Sequence, residues 1–123
     1  MIAVELPGLR TESKDNARGH WARKARKTAK ERHLVSLVLG ARRAWRFPVR
    51  VTITRIAPRR LDTGGLWSAM KAVQDEVAKW LGVDDGASER AGQVQWVVED
   101  KHGGVRVVAV RIRIEEVADA RAE

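Results

Sequence analysis

Short apolar-rich stretches predict four β-strands, and two of them place apolar and polar residues on opposite faces, which is typical of half-buried strands. The second stretch is the clearest, because the β-branched residues Val49, Val51 and Ile53 take turns with Arg or Thr. The sequence DKHGG separates the last two stretches and predicts that they pair as a hairpin. The predicted strands are residues 2–6, 48–56, 94–99 and 105–114.

Two longer stretches repeat apolar residues every three or four positions, the period of a helix with one buried side. The first runs from about residue 17 to residue 43, and we expect Gly40 to end or bend it. The second runs over residues 66–81, with Gly82 well suited to the position after a helix. The positions expected to face the core are Trp21, Ala25, Ala29, Val35, Val38 and Leu39 in the first helix, and Leu66, Met70, Val73, Val77, Trp80 and Leu81 in the second.

The predicted order of elements is β-α-β-α-β-β, which indicates an α/β (α+β) fold. We expect a small mixed sheet of about four strands with two main helices packed on one face. The 123 residues predict a single domain over 1–123, near the size at which dimerisation adds useful buried surface. Residues 115–123 have no strong pattern, and we expect them to fray.

Composition narrows the chemistry that is open to this chain. It has no cysteine, so disulfides and thiolate metal sites are excluded, and any metal must be held by oxygen or by the three histidines. Oxygen ligands favour hard cations such as Mg²⁺ or Mn²⁺. The chain also lacks a membrane-length apolar run, and residues 1–10 lack the layout of a signal peptide. These features predict a cytoplasmic protein.

The formal net charge of +8 is concentrated in the first half of the chain. The segment from Arg18 to Arg46 contains many basic residues but a single acidic residue, Glu31. A solvated helical face would usually mix charges of both signs, so this asymmetry favours a nucleic acid partner. An anionic membrane is less favoured because the stretch lacks the broad apolar face of an interfacial helix. The expected nucleic acid contacts are Arg18, Arg23, Lys24, Arg26, Lys27, Lys30, Arg59 and Arg60.

Carboxylates flank the second predicted helix, with Asp62 before it and Asp84 and Asp85 after it. They either belong to ordinary polar loops or hold a hard cation such as Mg²⁺ against a phosphate. A helix over 66–81 is about 22 Å long, so its two ends cannot share an ion within one straight element. The chain must fold back, or a second subunit must supply one end, as in an antiparallel isologous dimer.

The run RRLDTGGLWSAMKAVQDEVAKWLGVDDG at 59–86, followed by VQW, resembles the RusA-type Holliday-junction resolvases, especially phage and prophage members. The family pattern is a D-x-D-N-L loop, a Lys and an Asp four residues apart on the next helix, and a DD pair. The basic segment 19–33 also looks like the N-terminal helix of phage members. The matching positions here are Asp62, Leu66, Lys71, Asp75, Asp84 and Asp85.

The resemblance implies a homodimer that resolves four-way DNA junctions in recombination and repair by Mg²⁺-dependent hydrolysis, with Mn²⁺ as a substitute. It implies metal ligands at Asp62, Asp84 and Asp85, and catalytic roles for Asp62, Asp85 and Lys71. Lys71 equally suits a surface pair with Asp75. The expected location is the bacterial cytoplasm, or the host cytoplasm for a phage-encoded protein.

The chain departs from the family where Gly64 and Gly65 replace the second loop aspartate and the asparagine. One expected metal ligand is therefore missing. Two possibilities stay open: an active nuclease that needs more metal, or a relative that binds branched DNA without cutting it. A third class, an RNA-binding accessory module, would explain the basic helix but would leave the acids without a purpose.

Overall fold

The structure is a computed structural model that describes residues 1–9, 21–84, 86–88 and 90–117. Its element order is β-α-β-α-β-β, with a short 3₁₀ helix before the third strand, so the predicted fold class is confirmed. None of the helices in the described part of the chain is long and apolar enough to cross a membrane. The elements are β1 Ile2–Pro7, α1 Trp21–Leu39, β2 Val49–Ile56, α2 Thr63–Leu81, a 3₁₀ turn Ala91–Gln93, β3 Val94–Lys101 and β4 Ala109–Glu116.

The four strands form one mixed sheet in the order β1-β4-β2-β3. β2 pairs in parallel with β3 and antiparallel with β4, while β1 pairs antiparallel with β4. The predicted hairpin of the last two strands is therefore wrong, since β2 lies between them. Residues 102–108 cross the end of β2, where Ala57 N–H donates to Lys101 O at 3.1 Å. Alternation along a strand specifies which side chains point inward but does not specify the neighbouring strand.

The core lies between one face of the sheet and α2. Val51 and Ile53 of β2 and Ile112 of β4 have no exposed surface, as the alternation in those strands predicts. All six apolar positions predicted for the second helix are buried against them. A helix with one continuous apolar stripe can remove that stripe from water only by lying along the sheet, and this fixes the position of α2.

Helix α1 is shorter than predicted and is buried only in its second half. It ends at Leu39, not at residue 43, because Gly40 adopts a left-handed φ of 74° and donates its N–H to Ser36 O at 3.1 Å. Val35 and Leu39 are buried as expected, whereas Val38 is 36% exposed, so its predicted place in the core is wrong. The predicted start of this helix before residue 21 lies outside the described residues.

The first half of α1 contains no buried residue, so the prediction for Trp21, Ala25 and Ala29 is wrong. Trp21 is 74% exposed, and both alanines are exposed. The second half of α1 holds its buried residues, and just after its end Trp80 Nε1 of α2 donates to Gly40 O at 3.0 Å. The first half extends past this contact.

The expected fraying of the chain after residue 114 is wrong at its first positions. Glu115 and Glu116 continue β4, where they pair with Arg50 and Val49 of β2. Val117 N–H donates to Pro48 O at 3.0 Å, so the register persists to the end of the strand. Residues 118–123 lie outside the described part of the chain.

Candidate functional site

Strand register places four residues side by side at one end of the sheet. Pro7 of β1 is opposite Ala109 of β4, Ala109 is opposite Ile56 of β2, and Ile56 is opposite Lys101 of β3. We call this the Ile56 end. The chain leaves β2 here and enters the loop that leads to Asp62 and α2, so the first predicted site residue lies at this end.

Asp62 is the N-cap of α2. Its backbone is extended, its Oδ1 accepts the N–H of Gly65 at 2.6 Å, and its carbonyl accepts the N–H of Leu66 at 2.8 Å. A cap carboxylate satisfies one of the helix N–H groups that has no partner within the helix. The residue is exposed, and Oδ2 makes no hydrogen bond within the described residues. One carboxylate oxygen therefore has a structural role and the other faces outward.

Asp84 lies at the opposite end of α2 from Asp62. The helix has 19 residues and spans about 28 Å. Gly82 closes it in a left-handed conformation with φ 79°, and Asp84 follows in a depression also lined by Asp75 and Trp96. Within one protomer the fold does not bring Asp62 and Asp84 together. Asp85 lies outside the described residues, so its role as a ligand stays a prediction.

The basic side chains predicted to contact nucleic acid lie largely on the surface. Arg23, Arg26 and Lys30 of α1 are exposed, while Lys24 and Lys27 are half-buried. The Lys27 Nζ lies 3.7 Å from Glu31 Oε1, and Glu31 is buried. Arg18 lies outside the described residues. The first half of α1 therefore presents several cations to solvent.

Two of these cations lie near the Ile56 end. Lys27 and Lys30 line one depression together with Pro7 and Gly8, which belong to that end of the sheet. Arg59 and Arg60 are exposed in the loop just before Asp62. The fold thus brings the basic part of α1, the two loop arginines and one predicted carboxylate to the same end of the molecule.

Lys71 lies on the exposed side of α2, where its Nζ is 2.9 Å from Asp75 Oδ1. This is the surface pair that its spacing of four residues allows, and exposed pairs of this kind contribute little to stability. Trp67 lies one turn before it and is 40% exposed. Both side chains are therefore accessible to a partner, and the catalytic role of Lys71 stays a prediction.

Two charged residues next to Asp62 were missed in the sequence. Arg55 and Asp100 are register neighbours on β2 and β3, and Arg55 Nη1 lies 3.0 Å from Asp100 Oδ1. Asp100 Oδ2 accepts the N–H of Leu61 at 2.8 Å, and Arg55 Nη1 donates to Arg59 O at 2.7 Å. The signal was available, since alternation places both residues on the inward side of their strands, after Ile53 and Val98.

The described residues fit a divalent cation only in part. Asp62 offers one outward carboxylate oxygen, the kind of hard ligand that Mg²⁺ prefers. Across 1–9, 21–84, 86–88 and 90–117, however, no three His, Asp or Glu side chains lie close enough together to hold a metal. A site with three protein ligands would need at least one from outside the described residues of this protomer, such as Asp85 or a residue of a second subunit.

Comparison with known proteins adds no relative to this picture. No protein-family model, curated protein sequence or solved structure matches the chain. The functional interpretation therefore depends on the geometry of the Ile56 end and on the resemblance of residues 59–86.

The capping role of Asp62 can be separated from any catalytic role. Asp62→Ala should lower the free energy of unfolding by about 1 kcal/mol because the Gly65 N–H loses its acceptor. Asp62→Asn should stay within a few tenths of a kcal/mol of the wild type, since asparagine caps about as well as aspartate. Urea denaturation measures both values, and equal losses in the two variants would contradict the cap assignment.

Proposed function

We propose that this protein is a structure-selective DNA endonuclease that resolves Holliday junctions by Mg²⁺-dependent phosphodiester hydrolysis in DNA recombination and repair. The observation that carries the proposal is the presence of Asp62 and the exposed cations of α1 at the same end of the fold. A basic surface attracts the DNA backbone by releasing its counterions. An acid kept at such a surface needs a reason, and a metal that bridges it to phosphate supplies one.

The basic side chains would position the DNA, and its sequence would matter less than its shape. Phosphate contacts fix the register and orientation of a nucleic acid, whereas base contacts give sequence specificity. Arg23, Arg26 and Lys30 would hold one stretch of backbone, and Arg59 and Arg60 would hold the phosphates next to Asp62. The four-way junction as substrate is what the resemblance of residues 59–86 to the junction resolvases supports.

The proposed metal ligands are Asp62, Asp84 and Asp85. When bound, Mg²⁺ or Mn²⁺ would supply an activated water and stabilise the charge that develops on the phosphate. Because α2 separates Asp62 from Asp84 in one protomer, the DD pair would come from the second subunit of a homodimer. Lys71, on the exposed side of α2, would contact phosphate near the reacting group.

The alternative function is a non-enzymatic protein that binds branched DNA. Two features favour it: Gly64 stands where a second loop carboxylate is expected, and Asp62 already uses one oxygen as a helix cap. Both features weaken a metal site without affecting the basic surface. An RNA-binding module remains a third class, distinguished by its substrate.

A nicking assay separates these functions. The pure protein is incubated with labelled four-way junction, linear duplex, single-stranded DNA and a matched RNA, with and without Mg²⁺ or Mn²⁺. We expect metal-dependent nicks in the junction, and Asp62→Asn should reduce their rate about a hundredfold or more, the scale of one lost transition-state interaction. Because Asn keeps the cap, junction affinity should be unchanged.

The Asp62→Asn variant has a control in Glu115→Gln, which removes an acid from the sheet face away from the helices, where Glu115 Oε1 lies 3.5 Å from Arg50 Nη1. Tight junction binding with no product under any metal would establish the non-enzymatic alternative. Preference for RNA would establish the third class and end the nuclease proposal.

Mixing inactive variants tests the shared site. Asp62→Asn and Asp85→Asn homodimers should each be inactive. In a hybrid dimer, one of the two shared sites keeps both acids. Random mixing makes about half of the dimers hybrid, so co-refolded mixtures should regain up to about half of the activity expected from one intact site per dimer. Nicking of labelled junction measures the recovery. Equal mixtures that stay inactive, although subunit exchange is verified by mass, would place both acids of each site in one chain.

Restoring the missing carboxylate at Gly64 should strengthen the proposed metal site. An added Cβ at Gly64 meets nothing within 4 Å, so Gly64→Asp fits the first turn of α2. We expect the Mg²⁺ concentration for half-maximal nicking to fall by about tenfold, since affinity rises with ligand charge. Gly64→Asn is the control, because it makes the same backbone change without the charge. Equal effects in both variants would assign the gain to helix stability alone.

A further inference from the structure

Arg55 and Asp100 form an ion pair inside the fold. They are neighbours across β2 and β3, their side chains are each 9% exposed, and Nη1 lies 3.0 Å from Oδ1. Removing two charges from water is unfavourable, and an apolar pair of similar volume is often as stable or more stable. Stability is therefore a weak explanation for an ion pair at this position.

The pair makes two further hydrogen bonds, and both go to the loop before α2. Arg55 Nη1 donates to Arg59 O at 2.7 Å, and Leu61 N–H donates to Asp100 Oδ2 at 2.8 Å. Backbone groups on a surface loop could be satisfied by water, so side chains from the sheet are not required for solvation. Their effect is to fix the path of the chain immediately before Asp62.

The chain is fixed after Asp62 as well. The Asp62 carbonyl accepts the first helical hydrogen bond from Leu66, and Oδ1 accepts the N–H of Gly65 at 2.6 Å. Asp62 is thus held between the Leu61–Asp100 hydrogen bond on one side and the first turn of α2 on the other. The backbone of Asp62 is therefore fixed on both sides, although the residue is exposed and Oδ2 makes no hydrogen bond within the described residues.

We propose that Arg55 and Asp100 are positioning residues that aim the Asp62 carboxylate by holding Arg59 and Leu61. The inference rests on the proposed nuclease function, in which Asp62 contacts the metal. Active groups must be held to within a fraction of an ångström, and a displacement of about 1 Å can reduce a rate about a hundredfold. Strands β2 and β3 give the loop a rigidity that its own sequence lacks.

The test replaces both charges at once. Single removal of Arg55 or Asp100 leaves a buried charge without its partner and threatens folding, whereas Arg55→Met with Asp100→Leu replaces the pair by apolar groups of similar volume. The matched control is Glu99→Gln, next on β3 but on the exposed side, where Glu99 Oε2 accepts from Thr54 Oγ1 at 3.2 Å. Arg55→Lys is a second variant, because it keeps the charge but lacks the forked donor group.

Two measurements are made on each protein: junction nicking, separated into kcat, KM and Mg²⁺ dependence, and amide hydrogen exchange at Leu61, Gly65 and Leu66. In the double variant we expect kcat to fall at least about tenfold, with a smaller rise in KM because the loosened loop also carries Arg59 and Arg60. Exchange at Leu61 and Gly65 should accelerate about tenfold or more, since their acceptors are lost or loosened. Arg55→Lys should show the same changes to a smaller degree, and Glu99→Gln should show neither.

The double variant contradicts the proposal if it folds and keeps both wild-type kcat and wild-type exchange at Gly65. If the double variant does not fold, the same criterion is applied to Arg55→Lys: wild-type kcat together with wild-type exchange at Gly65 contradicts the proposal. Hydrogen exchange also separates the two proposals: when the wild type cuts no junction, accelerated exchange at Gly65 still supports the positioning of Asp62, and unchanged exchange rejects it.

Discussion

The packing of α2 against the sheet is the constraint on which the rest of this structure depends. Each large apolar side chain of its stripe contributes about 1.5 to 3 kcal/mol when buried, and Met70, Val73 and Val77 are fully buried. An exposed ion pair contributes between about 0 and 1 kcal/mol. No attraction between surface charges can therefore bend or shift this helix, and the acids at its two ends stay apart in one protomer.

The same packing produces a separation of charge. On the sheet face away from the helices, cations have partners within the chain: Arg111 lies 3.3 Å from Glu5, and Arg50 lies 3.5 Å from Glu115. On α1, within the described residues, no ion pair involves Arg23, Arg26 or Lys30. The open sheet face thus carries paired charges, while the described first half of α1 presents Arg23, Arg26 and Lys30 at its surface.

Much of the fold could be predicted because the relevant signals are local. The alternation in β2 and the stripe of α2 each lie within one segment, and burial follows directly from their periods. The pairing of β4 with β2 could not be predicted, since strand neighbours depend on the path of the intervening chain. The exposed alanines of α1 were misjudged for a similar reason: their spacing suits burial, but the neighbouring elements do not reach them.

The candidate site was predicted unevenly, in a way that the physics explains. Asp62 stands out in the sequence because loops before helices carry both caps and functional acids. Asp100 does not, because it lies within a strand and its contacts with Arg55 and with the N–H of Leu61 depend on the fold. A charged residue at an inward position of one strand becomes informative only when the opposite charge is found at an inward position of its neighbour, and that requires the register.

The capping role of Asp62 also affects what can bind beside it. The N-terminus of a helix carries a partial positive charge of about half an elementary unit, and the Asp62 carboxylate offsets it. A divalent cation at Asp62 would meet this dipole and the adjacent Arg59 and Arg60, all of which repel it. The helix dipole, Arg59 and Arg60 would instead attract a phosphate group. Under the proposed function, therefore, the nucleic acid would bind first and its own negative charge would then recruit the metal.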